Sequence, residues 1–145
     1  MTNAKINIRA PCVFCDDLNT LELVSEDALT AVALHDDWSV RGHAMVIWKR
    51  HVENISELKQ RERAHFWGVY HHAERVLLEV SGADRAVMLK LGIITPHLHL
   101  HIYPVSASLD RAAVMEIIEG RVREQRDPEF VRAVRARLDT GRLSE

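Results

Sequence analysis

An α+β domain with a mainly antiparallel sheet is the fold this sequence predicts, and three observations carry that expectation. Short apolar runs of strand length occur before residue 50 and again between residues 85 and 105. One long segment between them places apolar residues at helical spacing. The tail holds two further helical stretches.

The elements follow in order. Leu21 to Leu34 carries two apolar runs, Glu22–Ser25 and Leu29–Leu34, with Asp27 between them, the pattern of a hairpin or bent strand pair. Gly42 introduces His43–Trp48, a buried strand. Ser56 is an N-cap for a helix reaching about Ser81, in which Phe66, Val69, Tyr70, Ala73, Val76, Leu77 and Val80 recur at spacings of three and four. Gly82 stands where that helix should stop. Arg85–Leu91 and His97–Tyr103 read as strands, separated by a turn at Gly92, with Pro104 ending the second. Ala112–Val122 reads as a helix with Val114, Ile117 and Ile118 on its apolar face. Asp127-Pro128 opens another, an N-cap followed by proline at the first helical position, ending near Gly141.

Composition sets bounds on function. The chain has 145 residues, 47% hydrophobic and 28% charged. A domain of that length buries roughly 68–70% of its unfolded surface and needs no disulfide to fold. Nineteen basic and 21 acidic residues give a net charge of −2, which supplies no electrostatic reason to bind nucleic acid or a membrane. Met1 to Pro11 lacks an apolar core of signal-peptide length, and no run reaches the ~18 apolar residues of a membrane span, so a cytoplasmic protein is expected. In that compartment Cys12 and Cys15, its two cysteines, are expected as free thiols.

His97-Leu98-His99-Leu100-His101 is the feature with chemistry in it. Residues two apart in a strand point to the same face, about 6.6 Å from one another, so three imidazoles line one face while Leu98, Leu100 and Ile102 pack behind them. With nine histidines in the chain, such a triplet is expected by chance roughly 0.03 times, which favours a function over an ordinary surface. Two chemistries fit the spacing. Three neutral imidazoles can ligate a metal, or the middle one can attack phosphorus while a flanking imidazole fixes its tautomer by a hydrogen bond.

The residues His97-Leu98-His99-Leu100-His101-Ile102-Tyr103 resemble the signature of the histidine-triad (HIT) family, His-φ-His-φ-His-φ-φ with φ apolar. The upstream segment Gly42-His43-Ala44-Met45-Val46-Ile47-Trp48-Lys49-Arg50-His51 is similar to that family's Gly-His-x-Leu-Val-x-Pro-Lys-Arg-His. Cys12-x-x-Cys15 is found in its zinc-containing branch. The resemblance covers Cys12 to about Pro104 and implies a HIT-like core over 1–105, with 106–145 a helical extension of the same domain. It further implies a homodimer that cleaves nucleotides at the α-phosphate, with His99 forming a nucleotidyl-imidazole, His101 orienting it and contacting the phosphate, and His97 at the first triad position. It implies a structural zinc held by Cys12, Cys15, His51 and His97, no catalytic metal, and Asp36 as acceptor for ribose hydroxyls, with Asp37 one position away.

Departures from the pattern bear on activity. Trp48 replaces the family's usual proline, Ile93 stands where a bacterial subgroup has asparagine, and Val87 where many relatives are polar. Loss of these hydrogen-bonding groups motivates an alternative, a regulatory nucleotide-binding protein with little turnover. A third reading places all three triad histidines on one catalytic metal. His43 is expected to be structural, His65, His71 and His72 to belong to the long helix, and Arg121, Arg123, Arg126, Arg132, Arg135 and Arg137 to form a solvated helix face.

Overall fold

The structure is a computed structural model that describes residues 11–141. The N-terminal stretch read above as lacking a signal peptide lies outside the described residues up to position 10. The expected α+β fold is present. Five strands, β1 (Glu22–Glu26), β2 (Thr30–Leu34), β3 (Ala44–Trp48), β4 (Arg85–Leu89) and β5 (His99–Val105), form one antiparallel sheet in the order β1-β2-β3-β5-β4. The helices are α1 (Val13–Asp16), α2 (Gln60–Ser81), α3 (Arg111–Ile118) and α4 (Pro128–Gly141). Among the described residues no helix is long and apolar enough to cross a membrane.

Period-two alternation divides the sheet into two unlike faces. Val32, Leu34, Val46, Trp48, Leu100 and Ile102 point to one side, where they pack with Phe66, Tyr70, Ala73 and Leu77 of α2 and Phe130, Val134 and Leu138 of α4. On the opposite face the pairings set Ala31 beside Ile47 beside His99, and Ala33 beside Met45 beside His101. One face is therefore the core of the domain. The other carries the imidazoles on a bed of small and apolar residues, covered by α1 through Cys12 and Phe14.

Four boundaries differ from the sequence reading. Helix α2 starts at Gln60, because Ser56 sits inside a 3₁₀ turn, Ile55–Glu57, closed by Glu57 accepting from the Asn54 N–H at 2.8 Å. Buried, extended Leu58 then breaks the path, and Glu62 accepts from the Lys59 N–H at 2.9 Å to cap the true helix. Helix α3 stops at Ile118, since Gly120 takes φ +71° just beyond it. Strand β4 ends at Leu89, two residues early. Strand β5 begins at His99 and runs through Pro104: its last pair with β3 is Ala44–Ile102, so no neighbour on that side needs the N–H that proline lacks. His97 consequently lies before the ladder.

Gly42 joins the site to the core. Its φ is +86°, and a Cβ there would lie 2.8 Å from the Phe130 ring of α4. Gly42→Ala is expected to destabilise the protein by about 1–3 kcal/mol through backbone strain alone, with the ring clash adding to it. Urea denaturation measures this, and an unchanged midpoint would contradict it.

Candidate active site and metal centre

The short helix α1 brings two thiols to one point. The Cys12 carbonyl accepts from the Asp16 N–H at 2.9 Å and the Cys15 N–H at 3.2 Å, and the Asp16 carboxylate accepts from the Cys12 N–H at 3.2 Å. This turn holds both sulfurs on the same side and places Val13 and Phe14 between them. His97 Nδ1 lies 3.3 Å from Cys12 Sγ, 3.4 Å from Cys15 Sγ and 3.0 Å from His51 Nδ1, and His51 Nδ1 is 3.3 Å from Cys15 Sγ. The four ligating atoms all lie within 4.8 Å of one another. Tetrahedral zinc with two sulfur and two nitrogen ligands needs S···N and N···N separations of about 3.3–3.6 Å; the three S···N distances lie in that range and the N···N distance of 3.0 Å need only open slightly, so this donor set suits the metal. A second observation supports the fit. Nε2–H of His97 donates to the Trp48 carbonyl at 2.5 Å, which leaves Nδ1 with its lone pair facing the thiols, the outer-shell arrangement typical of metal-ligating histidine.

The structure thus separates the triad instead of gathering it on one ion. His97 joins Cys12, Cys15 and His51, whereas His99 is held differently. Nδ1–H of His99 donates to the His97 carbonyl at 2.6 Å, which leaves Nε2 as the unprotonated nitrogen. The Phe14 ring lies 4.6 Å from the His99 ring, centroid to centroid. Burial pushes the His99 pKa below its ordinary value, assisted by the positive charge of Lys90, while the bond to the His97 carbonyl pulls the other way. The neutral, nucleophilic form is the favoured one.

His101 belongs to a stack that the sequence did not reveal. A single N–H···N bond of 2.8 Å bridges His43 Nε2 and His101 Nδ1, leaving His101 Nε2 free of it. The His43 ring stacks between His35, at 4.4 Å, and Tyr103, at 4.1 Å. Burial, then the neighbouring rings of His99 and His35, lower the His101 pKa to about 4. Burial, then His35 and His101, lower that of His43 to about 2, against a weaker pull from the Asp37 backbone. Crowded imidazoles cannot all carry charge, and His43, His99 and His101 stay neutral near pH 7.

A cavity of about 480 Å³ opens on this face, lined by Phe14, His35, Asp36, His99 and His101, with the loop Leu91–Thr95 as its lip. Asp36 is the acid that borders it. Asp37 faces a smaller chamber behind His101 and pairs with Arg123 at 2.7 Å. In the lip Ile93 and Ile94 are 79% and 97% exposed, and Thr95 is the one lip residue whose side chain can hydrogen-bond a ligand.

A family model described as HIT domain matches residues 19–107. The chain belongs to the HIT family. Three solved structures of similar fold can be compared. A zinc-bound histidine-triad family protein from Mycobacterium smegmatis is 23% identical, with TM-score 0.69 over 92% of this chain and 97% of that one. A hypothetical histidine triad nucleotide-binding protein from Sulfolobus tokodaii is 23% identical, with TM-score 0.68 over 89% and 93%. A histidine triad protein from Bradyrhizobium japonicum is 18% identical, with TM-score 0.69 over 85% and 95%. No curated protein matches the chain in sequence.

Against the HIT pattern, Trp48 has a physical role. Its N–H donates to the Leu98 carbonyl at 3.1 Å, a bond proline could not make, and its carbonyl receives His97. The remaining histidines stay out of the site. His65 pairs with Asp27 at 2.9 Å, His72 donates to the Leu138 carbonyl at 2.9 Å, and His71 is exposed on α2. The arginines do not form one solvated helix face. Arg121, Arg123 and Arg126 lie in the connection between α3 and α4, and on α4 Arg135 donates to the Leu23 carbonyl at 3.0 Å while Arg137 pairs with Glu79. Sequence reasoning thus missed His35, His43 and Phe14. Only His43 carried a signal, through the Gly42-His43 step.

The neutral wall predicts a pH dependence. In the unfolded chain His43 and His101 bind protons near the ordinary 6.5, whereas the folded state resists protonation until about 4 for His101 and about 2 for His43. Their stabilising effect is complete above pH 6.5 and is lost as pH falls. Unfolding free energy should decline between pH 6.5 and 4.5, before most carboxylates titrate, by up to roughly 1.4 kcal/mol per pH unit for each ring. His43→Phe, which keeps a stacked ring, should make the slope shallower. Urea melts at several pH values measure this, and a flat profile would contradict it.

Proposed function

We propose that this HIT protein is a nucleotide hydrolase or nucleotidyltransferase that cleaves at the α-phosphate through a nucleotidyl-His99 intermediate. The observation that carries the reading is the Nδ1–H bond of buried His99 to the His97 carbonyl, which leaves Nε2 as a neutral nucleophile toward the cavity. The Nε2–P bond forms as the bond from phosphorus to the leaving group breaks. Water or a second acceptor then attacks the same phosphorus and frees His99. His101 orients this ring and meets the phosphate through its own Nε2, and Asp36 accepts from ribose hydroxyls. Phosphoramidates and dinucleoside polyphosphates are the substrate types that suit such chemistry.

In the same reading Cys12, Cys15, His51 and His97 hold a structural zinc, which supplies cross-linking and no catalytic step. It would fix Phe14, carried between the two cysteines, against His99. The protein acts as a cytoplasmic homodimer without nucleic-acid or membrane partners. Residues 1–105 form the HIT-like core and 106–145 a helical extension of the same domain. One observation favours the second reading, a nucleotide-binding regulator with little turnover: the exposed isoleucines of the lip leave that side of the cavity without a polar side chain beyond Thr95.

Two experiments test this. Incubation with adenosine and guanosine phosphoramidates and dinucleoside polyphosphates should release nucleoside monophosphate, and His99→Ala should lower the rate by roughly 10⁴- to 10⁶-fold. Tight nucleotide binding without release by the wild type would shift the conclusion to the regulator. Metal analysis should find zinc stoichiometric with the chain, lost in Cys12→Ser and kept in His99→Ala. Chelation should lower Tm by at least about 5 °C. Zinc retained in Cys12→Ser but lost in His99→Ala would overturn the structural assignment.

A further inference from the structure

The connection between α3 and α4 lies beyond the residues matched by the HIT domain model, yet four of its residues make polar contacts with one loop, residues 35–41. Arg126 is central. Its Nη1 donates to the His35 carbonyl at 2.5 Å and reaches the Asp36 carbonyl at 3.4 Å, and its Nη2 lies 3.3 Å from a Glu22 carboxylate oxygen. Its guanidinium lies over the buried Trp38 ring at 4.7 Å. Around it the Glu124 N–H donates to the Trp38 carbonyl at 2.6 Å, Arg123 pairs with Asp37, and Asp127 pairs with Arg41. Trp38 in turn packs edge-on against Phe130 of α4 at 5.5 Å.

The loop so fastened is the one that brings His35 and Asp36 to the cavity. A loop of this kind, exposed at Asp36 and Asp37, would otherwise be free to vary its backbone, and a carboxylate that swings by an ångström loses a bidentate contact. A guanidinium is suited to the task, because its planar fork can serve two carbonyls and a carboxylate at once while its face stacks on indole.

We propose that Arg126 is a positioning residue for nucleotide recognition: by gripping the His35 and Asp36 carbonyls from behind, it holds the Asp36 carboxylate in register for the ribose hydroxyls. The C-terminal segment thereby acts as a strap that gives the site its preference for ribonucleotides. This rests on the reading of the cavity as a nucleotide site with Asp36 on the ribose.

The test compares dissociation constants of adenosine and guanosine monophosphates with those of their 2′-deoxy forms, by calorimetry, for wild type, Arg126→Ala, Arg126→Lys and Asp36→Asn. The wild type should prefer the ribonucleotide by at least about tenfold, the value of a charge-assisted hydrogen bond. Arg126→Ala should bring that ratio close to one by weakening ribonucleotide binding alone, and Arg126→Lys should restore part of it. A merely structural role would weaken both ligands equally and leave the ratio intact, which would overturn the proposal. A wild-type ratio near one, or one that Asp36→Asn does not change, would instead overturn the assignment of Asp36, and the strap with it. Should Arg126→Ala fail to fold, Arg126→Gln carries the same comparison.

Discussion

Every part of the site depends on how His97 uses its two ring nitrogens and its carbonyl. Nε2–H is taken by the Trp48 carbonyl at the end of β3, Nδ1 faces two thiols and His51, and the main-chain carbonyl receives Nδ1–H of His99. One residue therefore ties α1 to the sheet, sets the donor geometry of the Cys2His2 cluster and selects the tautomer of its neighbour two positions on. Had His97 continued the ladder of β5, its ring would have joined the row of imidazoles and its carbonyl would have gone to a strand partner. Leaving the ladder before His99 separates the histidine of the Cys2His2 cluster from the one with the free Nε2.

The rest of the site follows from the pleat. Alternation places His99 and His101 on one face and Leu98, Leu100 and Ile102 in the core, so their backbone is as rigid as the sheet. Rigidity and burial have an electrostatic consequence. With His43, His99 and His101 in one partly dry wall, each added charge is opposed both by lost hydration and by its neighbours. A row of imidazoles that would titrate near neutrality in water is held neutral, the state in which one nitrogen can attack phosphorus.

The sequence displayed what has a short period and hid what depends on loops. The H-φ-H-φ-H run showed its two faces because residues 98 to 102 obey the strand period, and the hairpin around Asp27 was equally plain. Cys12-x-x-Cys15 displayed two members of the four-residue cluster; His51 and His97 came from family likeness, since nothing local to them speaks of cysteines 36 and 85 residues away. The stack of His35 on His43 forms because the two residues end β2 and precede β3, bringing the chain back on itself, a geometry without a sequence signature. Arg126 was hidden more deeply. In a tail where arginines alternate with acids it looked like surface charge, and only the packing of Trp38 against Phe130 brings its guanidinium to the carbonyls of residues 35 and 36. Ser56 misled for a local reason: Asn54 and Glu57 close their own turn before α2 can start.

The tautomer of His99 is the central claim, and it can be observed directly. Long-range ¹H–¹⁵N correlation spectra of the imidazoles at neutral pH, assigned by single histidine substitutions, report which ring nitrogen carries the proton in each residue. A neutral His99 with its proton on Nδ1 and an unprotonated Nε2 is the expected result. A His99 that carries its proton on Nε2, or is a charged imidazolium at that pH, would contradict it.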